Sequence, residues 1–322
     1  MKKYLVTGGS GFIGSALVKA LIKNGDSVRV FDNNSRGNLR RLDNILSEID
    51  FIQGDIRDID AVNTALKGIE SVLHLAYVNG TEFFYEKPDL ILDVGVKGML
   101  NVIDGSIKND VSELVLASSS EVYQSPKTIP TPEEVSLIIP DPMNPRYSYG
   151  GGKLISELLT INYSKYFERT LIFRPHNVYG PDMGWEHVIP QFIVRMLNKL
   201  QEESSNKIDF EIQGSGKETR SFIYIEDFIA GLELILKKGE HKNIYHIGTH
   251  NEIEIINLVE QLGSIVGADV NIIPGSLKKG STPRRCPDIS KLNSLGFSSK
   301  FDLKEGLKNT YNWYEGNLDL KP

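Results

Sequence analysis

The chain has a single cysteine, Cys286. Without a second thiol an intrachain disulfide is excluded, and the composition suits a reducing compartment. Long apolar runs are missing too. None approaches the roughly 20 residues that span a bilayer, and the opening MKKYLVTGG is too short in apolar residues for a signal peptide. A cytoplasmic location is therefore expected, with no membrane partner. Charge of one sign is also lacking. The 36 Lys and Arg face 42 Asp and Glu, for a net charge of -6, and the basic residues are scattered. That argues against nucleic acid as a partner. The six histidines show no metal-ligand spacing; His246 and His250 are four apart, but YHIGTH reads as a strand running into a loop. No metal site is expected. Internal repeats and low-complexity tracts are absent.

What is present is an ordinary globular composition, 40% hydrophobic and 24% charged over 322 residues. Short β-branched runs, KYLVTG, SVRVFD, DFIQGD, SVLHLAY, ELVLASS and RTLIFRP, alternate with amphipathic stretches such as GSALVKALIKNG and DAVNTALKG. Strand and helix in alternation predict a parallel sheet covered on both faces. Helices are expected near 187–200, 226–238 and 254–266, and a strand near 208–213. The Pro-rich segment 126–145 reads as an extended surface loop. We therefore expect an α/β protein with a Rossmann-like doubly wound parallel sheet in residues 1–175, and a smaller C-terminal α/β domain in 176–322. The boundary is approximate and allows interleaving.

Residues 4–14, YLVTGGSGFIG, place Gly8, Gly11 and Gly14 just after a strand and at the start of a helix. Gly8 permits the tight turn, Gly11 lets backbone approach a pyrophosphate, and Gly14 allows close helix–strand packing. The helix N-terminus then offers N–H groups and partial positive charge to phosphates. The next strand ends in Asp32, 18 residues after Gly14. A carboxylate there accepts from ribose hydroxyls and repels a 2′-phosphate, which favours NAD over NADP. Arg36, close by, is the counter-signal. In GDIRD, Asp55 and Ile56 end the third strand; the carboxylate either meets an adenine amino group or caps the helix starting near 58.

Tyr149 and Lys153 are four apart, hence neighbours on one helix face. A tyrosine of ordinary pKa, near ~10, is a poor base at neutral pH. An adjacent ammonium and an oxidised nicotinamide both favour its phenolate, so the pair can take a proton from a sugar hydroxyl as hydride leaves the same carbon. Between them stand Gly150, Gly151 and Gly152. Each helical glycine costs about 1 kcal/mol relative to alanine, so some neighbour must need the missing side chains.

Taken together, TGGSGFIG, DN at 32–33, GDIRD, HLAY, SSSEVY, YSYGGGK, RPHNVYGP, RSFIYIEDF and RRCPDISKLNSLGF follow one order and spacing. In these the chain resembles the extended short-chain dehydrogenase/reductases, specifically the NAD-dependent nucleotide-sugar epimerases and dehydratases, over nearly its whole length. The resemblance implies cofactor contacts from Phe12, Ile13, Asn33, Ala76, Tyr149 and Lys153, beside those already named. It puts Ser119 where a hydroxyl bonds the sugar's C4 oxygen, with Ser120 in that role if the register slips by one. It makes Glu121 informative: simple 4-epimerases often have a small or neutral residue there, whereas 4,6-dehydratases and UDP-glucuronate decarboxylases often have Glu. Once C4 is a ketone the C5 proton is acidic, and a carboxylate can remove it. A solvated Glu starting a turn is the plainer alternative. Gln124 departs from the usual glycine after VY.

In the second half the resemblance implies that Asn177 contacts the substrate's phosphate or sugar, with Tyr179 and Gly180 shaping the turn. Arg220 and Arg285 are implied diphosphate ligands, a task that suits the planar guanidinium fork. Asp227 is implied as a structural acid at a helix start. His176 reads as structural rather than a sugar contact. Trp185, Glu186 and His187 either line a sugar pocket or begin a helix. Residues 214–217, GSGK, imitate the end of a phosphate loop, but Glu211 and Glu218 stand where it needs glycine and Ser/Thr. The expected function is transient oxidation at C4 of a nucleotide-diphosphate hexose, leaning to 4,6-dehydration or decarboxylation, with 4-epimerisation as the alternative. A net dehydrogenase and a non-catalytic NAD-binding regulator are further readings. A homodimer is implied, packed through helices at about 90–107 and about 150–167.

Overall fold

The computed structural model describes residues 1–202, 205–276 and 282–321. The β-branched runs become Lys3–Thr7 (β1), Ser27–Asp32 (β2), Asp50–Gln53 (β3), Ser71–His74 (β4), Glu113–Ala117 (β5) and Arg169–Pro175 (β6). With Asn243–Ile247 they form one seven-stranded sheet. Its order is Asn243–Ile247, β6, β5, β4, β1, β2, β3. β1 to β6 pair in parallel throughout. Every residue of β4 and of β5 is buried, as befits strands covered on both faces. The sheet grows outward from β1 one way to β3, then the other way from β4. That reversal between β1 and β4 is the switch point at which open Rossmann-like sheets bind ligands, beyond the strands' carboxyl ends.

Helix Phe12–Lys23 (α1) buries Gly14, Leu17, Val18 and Leu21, the three-to-four spacing of a core-facing stripe. Helix Ile59–Leu66 (α2) is capped by Asp58, whose carboxylate accepts from the Asp60 and Ala61 amides. The acid that caps this helix is therefore Asp58 and not Asp55. The helix expected at about 90–107 is three pieces in series: Pro88–Leu92, a π-helical turn at Asp93–Lys97, and Gly98–Lys108. The helix that carries the glycine run spans Tyr147–Asn162, so it begins three residues before Gly150 and stops short of 167.

The chain divides into two compact units. One holds residues 1–124, 136–175 and 229–246, and contains the sheet. The other holds 125–135, 176–228 and 247–322. In the second unit Lys207–Ile212 pairs in parallel with Asp269–Pro274. Thr219–Ser221 pairs with Glu252–Glu254 on one side and with Arg284–Arg285 on the other. Helices Val188–Glu202, Ile255–Val266 and Leu303–Glu315 complete it. Among the described residues no helix is long and apolar enough to cross a membrane.

At the start of β5, Glu113 is 2% exposed. It accepts from Lys2 Nζ at 2.6 Å, from Ser71 Oγ at 2.6 Å and from the Arg169 guanidinium. Burial alone would raise its pKa, but these donors outweigh it and hold the carboxyl below its ordinary range. A depressed carboxyl adds stability above its unfolded pKa and loses it as pH falls through the folded value. Glu113→Gln should therefore cost about 3 kcal/mol at pH 7, the low end for breaking a buried pair because both cations reach solvent. Urea unfolding at several pH values should show this deficit shrinking below about pH 4.5.

Candidate active site

After β1 the chain turns through Gly8, at φ 71°, and enters α1 by way of Gly11. A Cβ on Gly8 would lie 2.7 Å from the Ala76 amide nitrogen, and one on Gly14 would lie 2.1 Å from the Gly8 carbonyl. Both glycines are thus required by close backbone approach. Gly11 is the N-cap residue and supplies no side-chain cap to the amides of α1's first turn, which begins with Phe12 and Ile13. A hypothetical Cβ there meets only the Gly8 carbonyl, at 3.2 Å, so the space over those amides is one a side chain would fill. This helix end, bare of an internal acceptor, fits a pyrophosphate.

At the end of β2, Asp32 is 8% exposed and accepts from the Ser10 and Asn34 amides at 3.0 and 2.9 Å. Each carboxylate oxygen has a second acceptor site, so it can still receive ribose hydroxyls. Arg36, the counter-signal, lies with its guanidinium 4.9 Å from the Phe83 ring centre. Asn33 donates to Asp55 at 3.0 Å. Asp55 is otherwise gripped by Arg57, through its amide at 2.9 Å and its guanidinium at 3.0 and 2.8 Å. Those bonds lower its pKa to about 2. Ile56 turns into the core and is 5% exposed.

Beside the end of β5, Tyr149 and Lys153 share one face of the Tyr147–Asn162 helix. The Tyr149 ring stands edge-on to Tyr77 at 5.2 Å and stacks on Phe84 at 4.9 Å. Lys153 is 3% exposed; its Nζ donates to the Ala117 carbonyl at 2.7 Å and sits 3.9 Å from the centre of the Tyr77 ring. Burial pulls its pKa down to about 7, against the pull of the Glu157 carboxylate. Ser118, Ser119 and Ser120 follow β5. The Ser118 hydroxyl is committed to Glu157. Ser119 accepts from the Glu121 amide at 3.2 Å and caps a short 3-10 turn, Ser120–Tyr123. Ser119 and Ser120 are 9% and 4% exposed, and Glu121 is half-buried.

The glycine run now has its partners. A Cβ at 150 would lie 2.4 Å from Gln124 Nε2 and 2.7 Å from the Glu121 carbonyl. Gln124 has φ 54°, where glycine is the easy residue, and its amide bonds the Glu121 carbonyl at 2.6 Å. A Cβ at 152 would lie 2.1 Å from the Tyr77 hydroxyl. At 151 it would meet only Ile139, at an ordinary 3.4 Å. Two of the three glycines therefore answer to close contacts.

A buried network behind this face was not read from the sequence. Glu157 and Arg174, 2–3% exposed, pair through two bonds of 2.8 and 2.6 Å. Arg174 also donates to Tyr123, whose hydroxyl meets His246 Nε2 at 2.6 Å. The available signal was Glu157, a charge one turn beyond Lys153 on a helix face that is otherwise buried.

In the second unit, Arg220 and Arg285 are paired neighbours in parallel strands. Arg220 holds the Thr219 and Thr282 carbonyls, each at 2.7 Å, and Arg285 reaches the Thr282 hydroxyl at 3.2 Å. Asn177, at φ 41°, donates to the Ser221 carbonyl at 2.8 Å. His176 is buried at 1% exposure. Trp185 packs on Trp313 and Tyr314, while Glu186 and His187 stand 3.9 Å apart. Asp227 accepts from the Lys300 and Phe301 amides, so it ties down that loop. In the GSGK stretch, Glu218 takes the Ser215 and Gly216 amides, the groups a phosphate would need. Among the described residues no group of three His, Cys, Asp or Glu is placed to hold a metal.

Sheet order, glycine turn and Asp32 together define a dinucleotide-binding α/β protein. Comparison with known proteins narrows this. The sequence profile of the NAD dependent epimerase/dehydratase family matches residues 4–248. A putative UDP-glucose 4-epimerase of Methanocaldococcus jannaschii is 34% identical, over 97% of this chain and 98% of its own. A UDP-N-acetyl-alpha-D-glucosaminuronate decarboxylase of Bacillus cytotoxicus is 28% identical, over 97% and 98%. Among solved structures, a dTDP-glucose 4,6-dehydratase of Streptomyces venezuelae with NAD bound superposes with a TM-score of 0.88, at 28% identity and 99% and 98% coverage. The chain belongs to the NAD dependent epimerase/dehydratase family. It is an enzyme, and its cofactor is NAD.

The contact at Gly152 makes a sharp prediction. Gly152→Ala forces the rigid phenol of Tyr77 to move and should destabilise the protein by about 1–3 kcal/mol. With Tyr77→Phe the nearest atom is the ring carbon at 3.5 Å. In that background the same change should be neutral or stabilising by up to ~1 kcal/mol. Gly95→Ala serves as control, since its Cβ would also meet Tyr77 ring carbons at 2.5 and 2.6 Å and should not be rescued. Thermal unfolding of the five variants, three single and two double, checks the cycle.

Proposed function

We propose that the enzyme oxidises C4 of a nucleotide-diphosphate hexose and then acts at C5 and C6, as a 4,6-dehydratase or a decarboxylase. The observation that carries the first part is the Tyr149/Lys153 pair, with the ammonium buried against the end of β5 where Ser119 follows. NAD, when bound, would accept hydride from C4 and, as NADH, would give it back at C6 in a dehydration, where the C5 proton is also replaced, or at C4 in a decarboxylation. In this reading the Gly8–Gly14 turn, with Phe12 and Ile13, holds the pyrophosphate, and Asp32 and Asn33 hold the adenosine ribose. Asp55, Ile56 and Ala76 act through the placement of their backbone. Tyr149 takes the C4 hydroxyl proton as phenolate, helped by the Lys153 charge, while Ser119 orients that hydroxyl. Ser120 takes over if Ser119 stays with its turn. Glu121 then removes the C5 proton as hydroxide leaves C6; with a hexuronate, carbon dioxide is lost instead. Arg220 and Arg285 receive the diphosphate and Asn177 the adjoining sugar or phosphate. Residues 1–175 thus serve mainly the cofactor and 176–322 mainly the nucleotide sugar. The second reading, 4-epimerisation, draws support from the putative UDP-glucose 4-epimerase that is 34% identical.

The enzyme is further proposed to be a cytoplasmic homodimer. Leu92, Ile155 and Leu158 are 39%, 38% and 53% exposed on helices Pro88–Leu92 and Tyr147–Asn162, which supports a helical interface. Light scattering should give twice the monomer mass, and Leu158→Asp should return the monomer.

The reaction is tested by NMR of products formed in heavy water from UDP-, dTDP-, GDP- and CDP-hexoses and from UDP-glucuronate. Dehydration should deliver deuterium to C5, and Glu121→Gln should abolish that label while NADH accumulates on the enzyme. A product with inverted C4 and an unexchanged C5 proton would move the assignment to 4-epimerase. Tyr149→Phe should lower turnover about 10²–10⁴-fold with NAD still bound.

A further inference from the structure

Tyr77 follows β4, and its hydroxyl is threaded between two helices. A Cβ on Gly95, in the π-helical turn, would lie 2.2 Å from that oxygen, and one on Gly152 would lie 2.1 Å from it. Among the described residues the hydroxyl has no hydrogen-bond partner. Burying a phenol oxygen unpaired is unfavourable, and so is each glycine within a helix. Three local costs thus fall on the placement of one ring.

The upper face of that ring is where the Lys153 ammonium rests, 3.9 Å from its centre. The ammonium can donate three hydrogen bonds; the Ala117 carbonyl takes one, at 2.7 Å. Among the other groups facing it, the Glu157 carboxylate favours the charge but does not hold it alone. On the same helix Glu157 is already shared between Arg174 and Ser118. On β4, His74 is kept neutral, its pKa pushed to about 3 by burial and by Lys153 itself. Tyr149, one turn back, favours the ammonium only once it is a phenolate. The π-face of Tyr77 is then the surface that replaces water beneath the cation, and such a contact is strongest when desolvated.

We propose that Tyr77 is a positioning residue for the Tyr149/Lys153 pair: its ring carries the Lys153 ammonium and keeps it charged beside Tyr149. This rests on the role given above to that pair. The two glycines are the means by which a side chain as long as tyrosine fits under the lysine. The hydroxyl is incidental to the task; the ring performs it.

The test separates ring from hydroxyl. The Lys153 Nζ signal is followed by NMR across pH in NAD-loaded protein carrying ¹⁵N-lysine, with Lys153→Met to identify it. The alkaline limb of kcat/KM is measured alongside. Tyr77→Leu removes the π-face and should lower both midpoints by about one pH unit. Tyr77→Phe keeps the face and should hold both within about 0.3 unit of wild type, while raising Tm because the unpaired oxygen is gone. Tyr77→Met, unbranched and without a ring, should behave as Tyr77→Leu and stands in if the latter does not fold. Unmoved midpoints in the Leu or Met variant would overturn the proposal, as would a Phe variant that moves as far as either. Full turnover in Tyr149→Phe would instead overturn the reading of the pair, while the Lys153 titration would still judge the ring.

Discussion

An ammonium held out of water governs the architecture on one side of the sheet. Lys153 is 3% exposed, and a charge in that position needs compensation from whatever touches it. The compensation is assembled from separate parts of the chain: a strand-end carbonyl from β5, a carboxylate one helical turn on, and an aromatic face from the loop after β4. Each part in turn constrains its surroundings. The carboxylate of Glu157 has to be shared with Arg174, and the ring of Tyr77 requires glycine at two places. Of the three glycines that look like a weakness in a helix, Gly150 and Gly152 follow from how tightly the neighbours crowd it.

The second buried pair, Glu157 with Arg174, joins the helix to β6 and reaches on through Tyr123 to His246. Because Ser118 also bonds Glu157, the loop that follows β5 is tied to this network at its first residue. Ser119, Ser120 and Glu121 come next in the chain. Their placement therefore depends on a salt bridge that does not itself face them, which makes the loop a rigid platform rather than a free turn.

Much of the cofactor side was legible because its signals are local. The turn at Gly8, the helix start at Gly11 and the acid at Asp32 lie within one strand–helix–strand unit, and each pattern has one structural meaning. The strand runs were legible for the same reason. What was hidden depends on residues that meet only after folding. Tyr77 and Gly152 are 75 positions apart, and no periodicity announces that one needs the other small. Asp55 shows the limit at short range: Arg57 folds back onto it, and a loop's path decides that, not its composition. The split of one long helix by a π-helical turn at Asp93–Lys97 was equally invisible, since an extra residue in a turn leaves apolar spacing almost unchanged.

The path of the chain has a consequence for how the molecule is made. It passes between the two units five times, after residues 124, 135, 175, 228 and 246. On the ribosome, the unit that contains the sheet is not complete until residue 246 has emerged, because Asn243–Ile247 is its seventh strand. By then the stretch 176–228, which belongs to the other unit, has already been exposed for some time. Neither unit can finish before the other has begun, so independent folding in N-to-C order is closed to this chain. Until Asn243–Ile247 arrives, β6 is an edge strand of the sheet, with backbone groups open to pairing by another chain.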